Sequence, residues 1–263
     1  MTQILTRDQL RQMAPAAFAT APADNVSDRY KFISTLDILD AMEAEGFMPV
    51  TARQSNRHQK DNLGAHEITF RPADQISTPR LVGDSLPEIR LVNSHNRAAT
   101  YSLTAGLFRL VCSNGLTIAD SSSKMMVKGR HSGEDSIRNI IEGTYRIIEE
   151  FPAIADQINA FRAIDLDNEQ ALEFAKGATL LRWNEPNADV SKMLLLPRRE
   201  ADAKTDLWSV MNVVQENLIR GGQEYLSNTG RRLHSASIST LELDQRINSD
   251  LWKLTETAAE VFA

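Results

Sequence analysis

The chain has 263 residues, of which 42% are hydrophobic and 24% are charged. This composition is typical of a folded globular protein and excludes a disordered chain. No apolar run of about 18 residues occurs, and the N-terminus lacks the charged start and apolar stretch of a signal peptide. We therefore expect a cytoplasmic protein without contact to a membrane. The single cysteine, Cys112, excludes an internal disulfide and is expected to be buried and dispensable.

Charge is distributed unevenly along the chain, whose formal net charge is −6. The segment 51–131 carries 11 Lys and Arg against 6 Asp and Glu, and four of the five histidines. The net charge is therefore +5 in this segment and −11 in the remainder. A basic middle in an acidic chain indicates a local anion-binding face, while the alternative is a set of scattered, solvated charges.

The elements are expected in the order helix, strands, helices, which is an α+β order. Residues 1–33 form an N-terminal arm with a short helix around 6–13. A helix capped by Ser34 and stopped by Gly46 follows. The β-branched and aromatic residues from 47 to about 128 predict a largely antiparallel sheet of four or five strands, with a hairpin turn at Asn114-Gly115.

The second half of the chain is predicted to be helical. A long apolar stripe from Ile137 to Phe161 predicts one helix that starts near Glu134 and passes through Pro152. Further helices are expected from Asp167 to about 183, from 207 to 218, and from 247 to 262. We divide the chain into the arm, an α+β core over 34–165 and a helical C-terminal region over 166–263.

No complete catalytic motif is present in the sequence. The P-loop, the GxGxxG fingerprint and the GxSxG elbow are all absent. The histidines and Cys112 lack the close spacing of zinc ligands, although His66, His95 and His131 remain able to converge in space. We therefore expect no cofactor, no metal and no catalytic residue, with a metal-dependent enzyme acting on nucleic acid as one alternative.

The basic strands are the better candidate for a binding surface. Arginines pair with phosphates, and aromatic rings stack on bases, so a sheet that displays both is suited to single-stranded nucleic acid. The polar run 93–96, directly after a strand, is either the rim of a site or ordinary turn chemistry. Because neighbouring residues in a strand face opposite sides, Phe70 and Arg71 do not share a face, and the aromatics are alternatively part of the core. The candidate nucleic-acid contacts are Arg71, Arg90, Asn93, His95, Arg97, Tyr101, Arg109, Lys128 and Arg130.

Four stretches of the sequence resemble one family. They are STLDILDAMEAEGFMPV, HEITFRP, PEIRLVNSHNRAATYSLTAGLFRLVCSNGL and NVVQENLIRGG, at 34–50, 66–72, 87–116 and 212–222. The chain is similar, from about Tyr30 to Trp252, to phage/plasmid-like proteins of domain of unknown function 932. The resemblance implies a role in DNA metabolism or in conflict between host and mobile element, and it supplies no site residue. The element order is also similar to that of phage single-strand annealing recombinases.

These observations favour a non-catalytic DNA-binding accessory protein of a mobile element, with a preference for single strands, acting in recombination or DNA protection. The alternative partner is a host protein: acidic helices would then inhibit a defence or restriction system by occupying its nucleic-acid site. Self-association into a homo-oligomer is compatible with either function.

Overall fold

The computed structural model describes residues 3–26, 30, 32–55, 63–77, 85–99, 101–109, 114–118, 126–128, 136–183 and 185–263. At 77, 108–109, 114–118, 126–128 and 136 only the backbone is described. The chain divides into two compact units. The first comprises Met1–Arg109, Gly115–Phe151 and Ser239–Glu242, and the second comprises Leu110–Asn114, Pro152–Ile238 and Leu243–Ala263.

Two short helices precede the sheet in the first unit. Helix α1 (Arg7–Met13) begins with a capping box in which Thr6 accepts from the Gln9 amide and the Gln9 side chain accepts from the Thr6 amide. A 3₁₀ turn, Pro15–Phe18, follows. Helix α2 (Thr35–Ala44) is capped by Ser34, whose side chain accepts from the Asp37 amide, and Gly46 follows it with φ +85°. The expected start and stop of α2 are therefore confirmed.

The first unit is built on a six-stranded sheet, counted within the described residues. Its strands are β1 (Phe47–Gln54), β2 (His66–Pro72), β3 (Ser85–Asn93), β4 (Ser102–Arg109), β5 (Asn114–Ile118) and β6 (Met126–Lys128). A short helix, α3 (Ala73–Ser77), follows β2. The strand order is β1-β2-β3-β4-β5, and β6 pairs with β4. The pairings β1–β2, β2–β3, β3–β4 and β4–β6 are antiparallel, so the α+β class and the antiparallel sheet are confirmed.

The two faces of this sheet differ in chemistry. One face carries the apolar core of the unit, because residues paired across antiparallel strands share a face and alternate along each strand. Its buried residues are Ile68, Phe70, Ile89, Leu91, Leu103 and Ala105. Helix α2 contributes Ile38, Leu39 and Met42 to the buried core of the unit. Helix α4 (Ser136–Arg162) joins it through Thr144, whose hydroxyl contacts the Met42 sulfur at 3.5 Å. The opposite face is polar and charged.

The second unit is mainly helical. After the C-terminal part of α4, which contains Pro152, it has α5 (Asn168–Trp183), α6 (Ala188–Leu194), a 3₁₀ turn (Glu200–Asp202), α7 (Leu207–Arg220) and α8 (Leu241–Phe262). A two-stranded hairpin, β7 (Glu224–Leu226) and β8 (Arg232–His234), follows α7. Trp252 packs edge-on against Phe161 and Trp208, with ring centroids 5.5 and 6.4 Å apart. This aromatic cluster lies in the buried core of the unit.

One buried carboxylate of the second unit is surrounded by arginines. The side chain of Glu216 on α7 is 2% exposed. It accepts hydrogen bonds from Arg199 at 2.5 Å and lies 3.0 Å from Arg220. Arg199 also donates to Asp202 at 2.6 Å. This network fixes the loop before α7 to the helix itself.

The long helices are confirmed at the positions that the apolar stripes predicted. Asp167 and Gln170 form the capping box expected at the start of α5. Gly221 and Gly222, with φ +59° and +82°, end α7 as expected. In the described part of the chain, no helix is both long and apolar enough to cross a membrane.

Candidate functional site

The candidate site lies at one end of the sheet, which we call the histidine end. Four strands begin or finish there: β1 finishes at Gln54, β2 begins at His66, β3 finishes at Asn93, and β4 begins at Ser102. Strand β6 also finishes there, because Lys128 pairs with Ser102. The antiparallel register therefore brings together residues that are far apart in sequence.

The Thr35 hydroxyl is the centre of a buried cluster at the histidine end. Its Oγ1 lies 2.9 Å from His66 Nε2, 3.3 Å from His95 Nε2 and 2.9 Å from Asn93 Nδ2. Asn93 also donates to the Ile33 carbonyl at 3.2 Å. All four side chains are at most 1% exposed. We call Thr35, His66, Asn93 and His95 the threonine cluster.

The hydrogen bonds fix the proton positions in the threonine cluster. His66 Nδ1 lies 3.0 Å from the Gly64 carbonyl oxygen, which only accepts, so Nδ1 carries the proton. Burial lowers the pKa of His66 to about 4, so the ring is neutral at pH 7 and Nε2 accepts from Thr35. Asn93 donates to Thr35, and the remaining lone pair of the hydroxyl leaves His95 Nε2 as a donor. The hydroxyl thus makes one donating and two accepting contacts, which is its full capacity.

This assignment weakens the hypothesis of a metal centre. The structure does bring His66 and His95 together, with ring centroids 5.3 Å apart. Both Nε2 atoms are engaged with Thr35, however, and a group of three or more His, Cys, Asp or Glu suited to a metal is absent from the described residues. His131 and Cys112 lie outside the described residues. The pair of imidazoles is therefore accounted for by hydrogen bonding.

The turn Ser94–Ala99 projects from the threonine cluster and is held at both ends. The Ser94 hydroxyl donates to the Ala99 carbonyl at 2.8 Å and accepts from the Ala99 amide at 2.9 Å. The Tyr30 hydroxyl donates to the Ser94 carbonyl at 2.8 Å. The backbone of His95 donates to Leu63 at 2.8 Å and accepts from Ala23 at 2.9 Å. These bonds join the two ends of the turn to each other and fix its buried first residues to neighbouring segments of the chain.

Arg97 stands at the tip of this turn with an unusual backbone. It is exposed, and its φ is +66°, the one positive φ of a non-glycine residue in the described part of the chain. The left-handed region costs an L-residue roughly 1–2 kcal/mol. Within the described residues, no carboxylate forms an ion pair with Arg97. Within the part of the chain that the structure describes, the turn therefore presents a cation without a carboxylate partner, held in a strained conformation.

The polar face of the sheet carries a second buried set of groups. Arg71 donates to Glu88 through Nε at 2.9 Å and Nη2 at 2.5 Å, and both side chains are 2% exposed. Arg90 lies 3.8 Å from the second oxygen of Glu88. Burial raises the pKa of Glu88 despite the two arginines. Arg53 pairs with Glu67 at 2.9 Å, and Arg90 and Arg53 together lower the pKa of Glu67 against the opposing effect of burial.

Most of the expected nucleic-acid contacts are not on the surface, and the expectation is corrected for them. Burial in ion pairs places Arg71 and Arg90 inside the polar face. Asn93 and His95 belong to the threonine cluster, and their contacts are structural. Tyr101 is 3% exposed and burial raises its pKa, so its ring offers no open surface for a base.

The remaining expected contacts are distributed over the sheet. Arg97 is exposed at the histidine end, and Lys128 occupies the register position opposite Ser102 at the same end. Arg109 pairs with Ser85 at the opposite end, about seven residues or roughly 24 Å along β4. Arg130 lies outside the described residues. The histidine end therefore unites Arg97 and Lys128, and Arg109 does not join them.

Sequence reasoning missed Thr35 as the centre of the cluster and Glu67 and Glu88 as the partners of the arginines. A signal for the glutamates was present: Glu67, Thr69 and Arg71 alternate along β2, and Glu88 and Arg90 alternate along β3. Thr35 carried no such signal, because its role depends on the start of β2 and the end of β3, which meet only in the folded chain.

Comparison with known proteins identifies the family. The family model "Domain of unknown function (DUF932)" matches residues 22–252. Two relatives from Escherichia coli (strain K12) are each 32% identical to the chain over 96% of its length: UPF0380 protein YfjQ, of which 91% is covered, and UPF0380 protein YafZ, of which 90% is covered. No solved structure matches the chain. The match over most of the chain shows that it belongs to the DUF932 family.

Proposed function

We propose that this protein binds single-stranded nucleic acid, with DNA as the preferred ligand, through the histidine end of its sheet and without catalysing a reaction. The observation that supports the proposal most is Arg97, an exposed cation that a closed turn holds in a left-handed backbone conformation. Such a conformation at a surface arginine is costly, and costs of this kind concentrate at binding sites.

The charge balance of the histidine end supports an anionic ligand. Its cationic residues are Arg53 and Arg97, whose side chains are described, and Lys128, which is placed there by its strand register. Glu67 is the acidic residue among the strand ends described there, and it is engaged by Arg53 at 2.9 Å. Among the described residues of the histidine end, a phosphate would meet Arg97 and the segment ending at Lys128 without an unpaired carboxylate. Phosphate contacts of this kind give affinity without sequence preference.

A role in recombination or DNA protection on a mobile element is the biological setting that we propose for such binding. An accessory protein that covers single strands needs affinity for the backbone and little base readout. The buried state of Tyr101 fits this limited use of aromatic stacking at the described positions.

The proposal is tested by measuring the affinity for a fluorescent (dT)20 oligonucleotide by anisotropy at several salt concentrations. Counterion release gives a log–log slope of about −0.7 for each phosphate neutralised on a single strand. Arg97→Ala and Lys128→Ala should each weaken binding and flatten the slope by about that amount. The matched control is Arg232→Ala, an exposed arginine of the β7–β8 hairpin in the second unit, which should leave affinity and slope unchanged.

Two outcomes contradict the proposal. Absence of (dT)20 binding at low salt removes it, and inhibition of a host protein through acidic helices, for example at Glu149 and Glu150 of α4, then becomes the function to test. Equal loss of affinity in the Arg232→Ala control would show that binding follows overall charge and not the histidine end.

A further inference from the structure

We infer that the threonine cluster is a positioning device whose task is to hold Arg97 in its left-handed conformation, so that the guanidinium is preorganised for a phosphate oxygen. The inference rests on the proposed function, which it extends from a charged surface to one defined contact with a built support. It has a distinguishing consequence: residues that tolerate a positive φ at position 97 should relieve the backbone strain, while the loss of the guanidinium should weaken binding.

The turn that carries Arg97 is attached directly to the threonine cluster. Ser94–Ala99 follows directly on Asn93, and His95 belongs to both the cluster and the turn. The Asn93 Oδ1 accepts from the Ser94 amide at 2.8 Å, while its Nδ2 donates to Thr35 at 2.9 Å. The base of the turn is thereby fixed to α2 and to β2 through groups that are fully buried.

Hydrogen bonds join the two ends of the turn on either side of Arg97. Ser94 bonds both the amide and the carbonyl of Ala99, and the Asn96 side chain accepts from the Ala98 amide at 3.1 Å. With both ends fixed and four residues between Ser94 and Ala99, the chain reverses direction through a residue of positive φ. Glycine or asparagine adopts this conformation at lower cost than arginine. Arg97 is therefore stabilised in its conformation by the turn and not by its own preference.

A fixed backbone at Arg97 reduces the entropy that is lost when a phosphate binds. An arginine on a flexible loop loses backbone and side-chain entropy when it binds a phosphate. An arginine whose backbone is already fixed loses less, so more of the interaction appears as affinity. The strain is present before binding, and the buried hydrogen bonds of the threonine cluster offset it.

The strain is measured by substitution at position 97. Arg97→Gly, Arg97→Asn and Arg97→Ala all remove the guanidinium, and each should lower the affinity for (dT)20 about tenfold. Gly and Asn tolerate a positive φ and Ala does not, so their melting temperatures should exceed that of Arg97→Ala by about 2–4 °C. Ala98→Gly is the matched control at a neighbouring exposed position without positive φ, and it should not raise the melting temperature.

The positioning role is measured by a double-mutant cycle with Ser94→Ala, which opens the turn while leaving Arg97 in place. Ser94→Ala should weaken (dT)20 binding several-fold in the native background and should have no further effect in the Arg97→Ala background. A purely structural role would give the same loss in both backgrounds. Thr35→Val removes the hydroxyl of the cluster and should weaken (dT)20 binding only where Arg97 is present, and the conservative Thr35→Ser should restore it.

The outcomes separate this inference from the proposed function. If (dT)20 binding is present but Ser94→Ala and Arg97→Ala act additively, the proposed function stands and the positioning role is overturned. If binding is absent, the proposed function fails first. If Gly, Asn and Ala at position 97 melt at the same temperature, the strain that carries the inference does not exist, whatever the binding result.

Discussion

The threonine cluster and the polar face of the sheet bury polar groups in two different ways. In the cluster, burial keeps His66 neutral at pH 7, and each hydrogen bond of Thr35 has an assigned donor and acceptor. On the polar face, Arg71, Glu88 and Arg90 are buried side by side, and burial raises the pKa of Glu88 although two arginines face it. The cluster is held by directional hydrogen bonds. On the polar face, the attraction between opposite charges is opposed by the free-energy cost of removing those charges from water.

This difference indicates what each region contributes. A buried network of directional hydrogen bonds specifies one geometry, which suits the support of a turn. A buried ion pair contributes little net stability, yet the loss of one partner is expensive because the other charge stays buried. We therefore expect the loss of a charged partner on the polar face to lower stability more than any single substitution in the cluster, and the cluster to show the larger response to pH.

The largest effect is expected for Arg71→Met on the polar face. The substitution removes the arginine that donates two hydrogen bonds to Oε1 of Glu88, whose side chain is 2% exposed. The free energy of unfolding should fall by about 3–5 kcal/mol, as measured by urea denaturation. The double variant Arg71→Met with Glu88→Leu should recover most of this loss. A loss below about 1 kcal/mol in the single variant would show that the pair is not structurally important.

The second-largest effect is expected from His66, which should make the free energy of unfolding depend on pH. Its pKa in the folded protein is lowered from 6.5 to about 4 by burial. Between these values the unfolded chain binds a proton that the folded chain does not, so stability is full above about 6.5 and falls as the pH decreases towards 4. The total contribution is about 3 kcal/mol, from roughly 1.4 kcal/mol for each unit of pKa shift.

The His66→Gln variant isolates this contribution from that of the carboxylates. Glutamine reaches the position of Nε2 and does not titrate, so the stability of His66→Gln should vary less between pH 6.5 and pH 4 than that of the native protein. Urea denaturation at pH 7.5, 6.0 and 5.0 provides the comparison. Parallel curves for the two proteins would mean that His66 titrates normally and that the neutral cluster is incorrectly assigned.

A smaller effect is expected for Thr35→Val in the threonine cluster. Valine has the shape of threonine without the hydroxyl, so His66 and Asn93 lose a buried hydrogen-bond partner. The free energy of unfolding should fall by about 2 kcal/mol. Thr35→Ser, which keeps the hydroxyl and loses one methyl, should cost about 1 kcal/mol or less. The order of these two variants distinguishes hydrogen bonding from packing, and the reverse order would contradict the network.

The smallest effect is expected for Gly106→Ala on the polar face. A Cβ at position 106 would lie 2.9 Å from Arg90 Nε and 3.1 Å from its Cδ, so the Arg90 side chain would have to move. We expect a loss of about 1–2 kcal/mol. In an Arg90→Ala background the same substitution should cost little, because the obstructing side chain is gone. Equal costs in both backgrounds would show that the effect belongs to the backbone of β4.

The architecture was largely predictable from local patterns. The change from strand-like to helical periodicity placed the sheet before α4, and Ser34, Gly46 and the Asp167–Gln170 capping box marked helix ends. Helix α6 and the β7–β8 hairpin were not predicted. Helix α6 has seven residues and depends on the Asn187 side chain, which accepts from the amides of Asp189 and Val190. Elements of this length have too few residues to establish a period.

The site was predictable only in part. Strand alternation correctly separated Phe70 from Arg71, and Phe70 is fully buried, as the alternative interpretation of the aromatics held. The alternation of residues along a strand does not reveal that the polar face of the sheet is also buried, because the burial of that face depends on tertiary packing. The sequence therefore placed Arg71 and Arg90 on a binding surface, while the structure pairs both with Glu88. The polar run 93–96 was left open between the rim of a site and ordinary turn chemistry, and in the structure it leads into the turn that carries Arg97.

The most direct test of the account is hydrogen–deuterium exchange of the full chain with and without saturating (dT)20. Binding at the histidine end should slow amide exchange in the peptides that cover the turn Ser94–Ala99 and the segment ending at Lys128. The peptides of β7 and β8 in the second unit should exchange as in the free protein. Protection confined to the second unit, or no protection at a concentration where anisotropy shows saturation, would contradict the account.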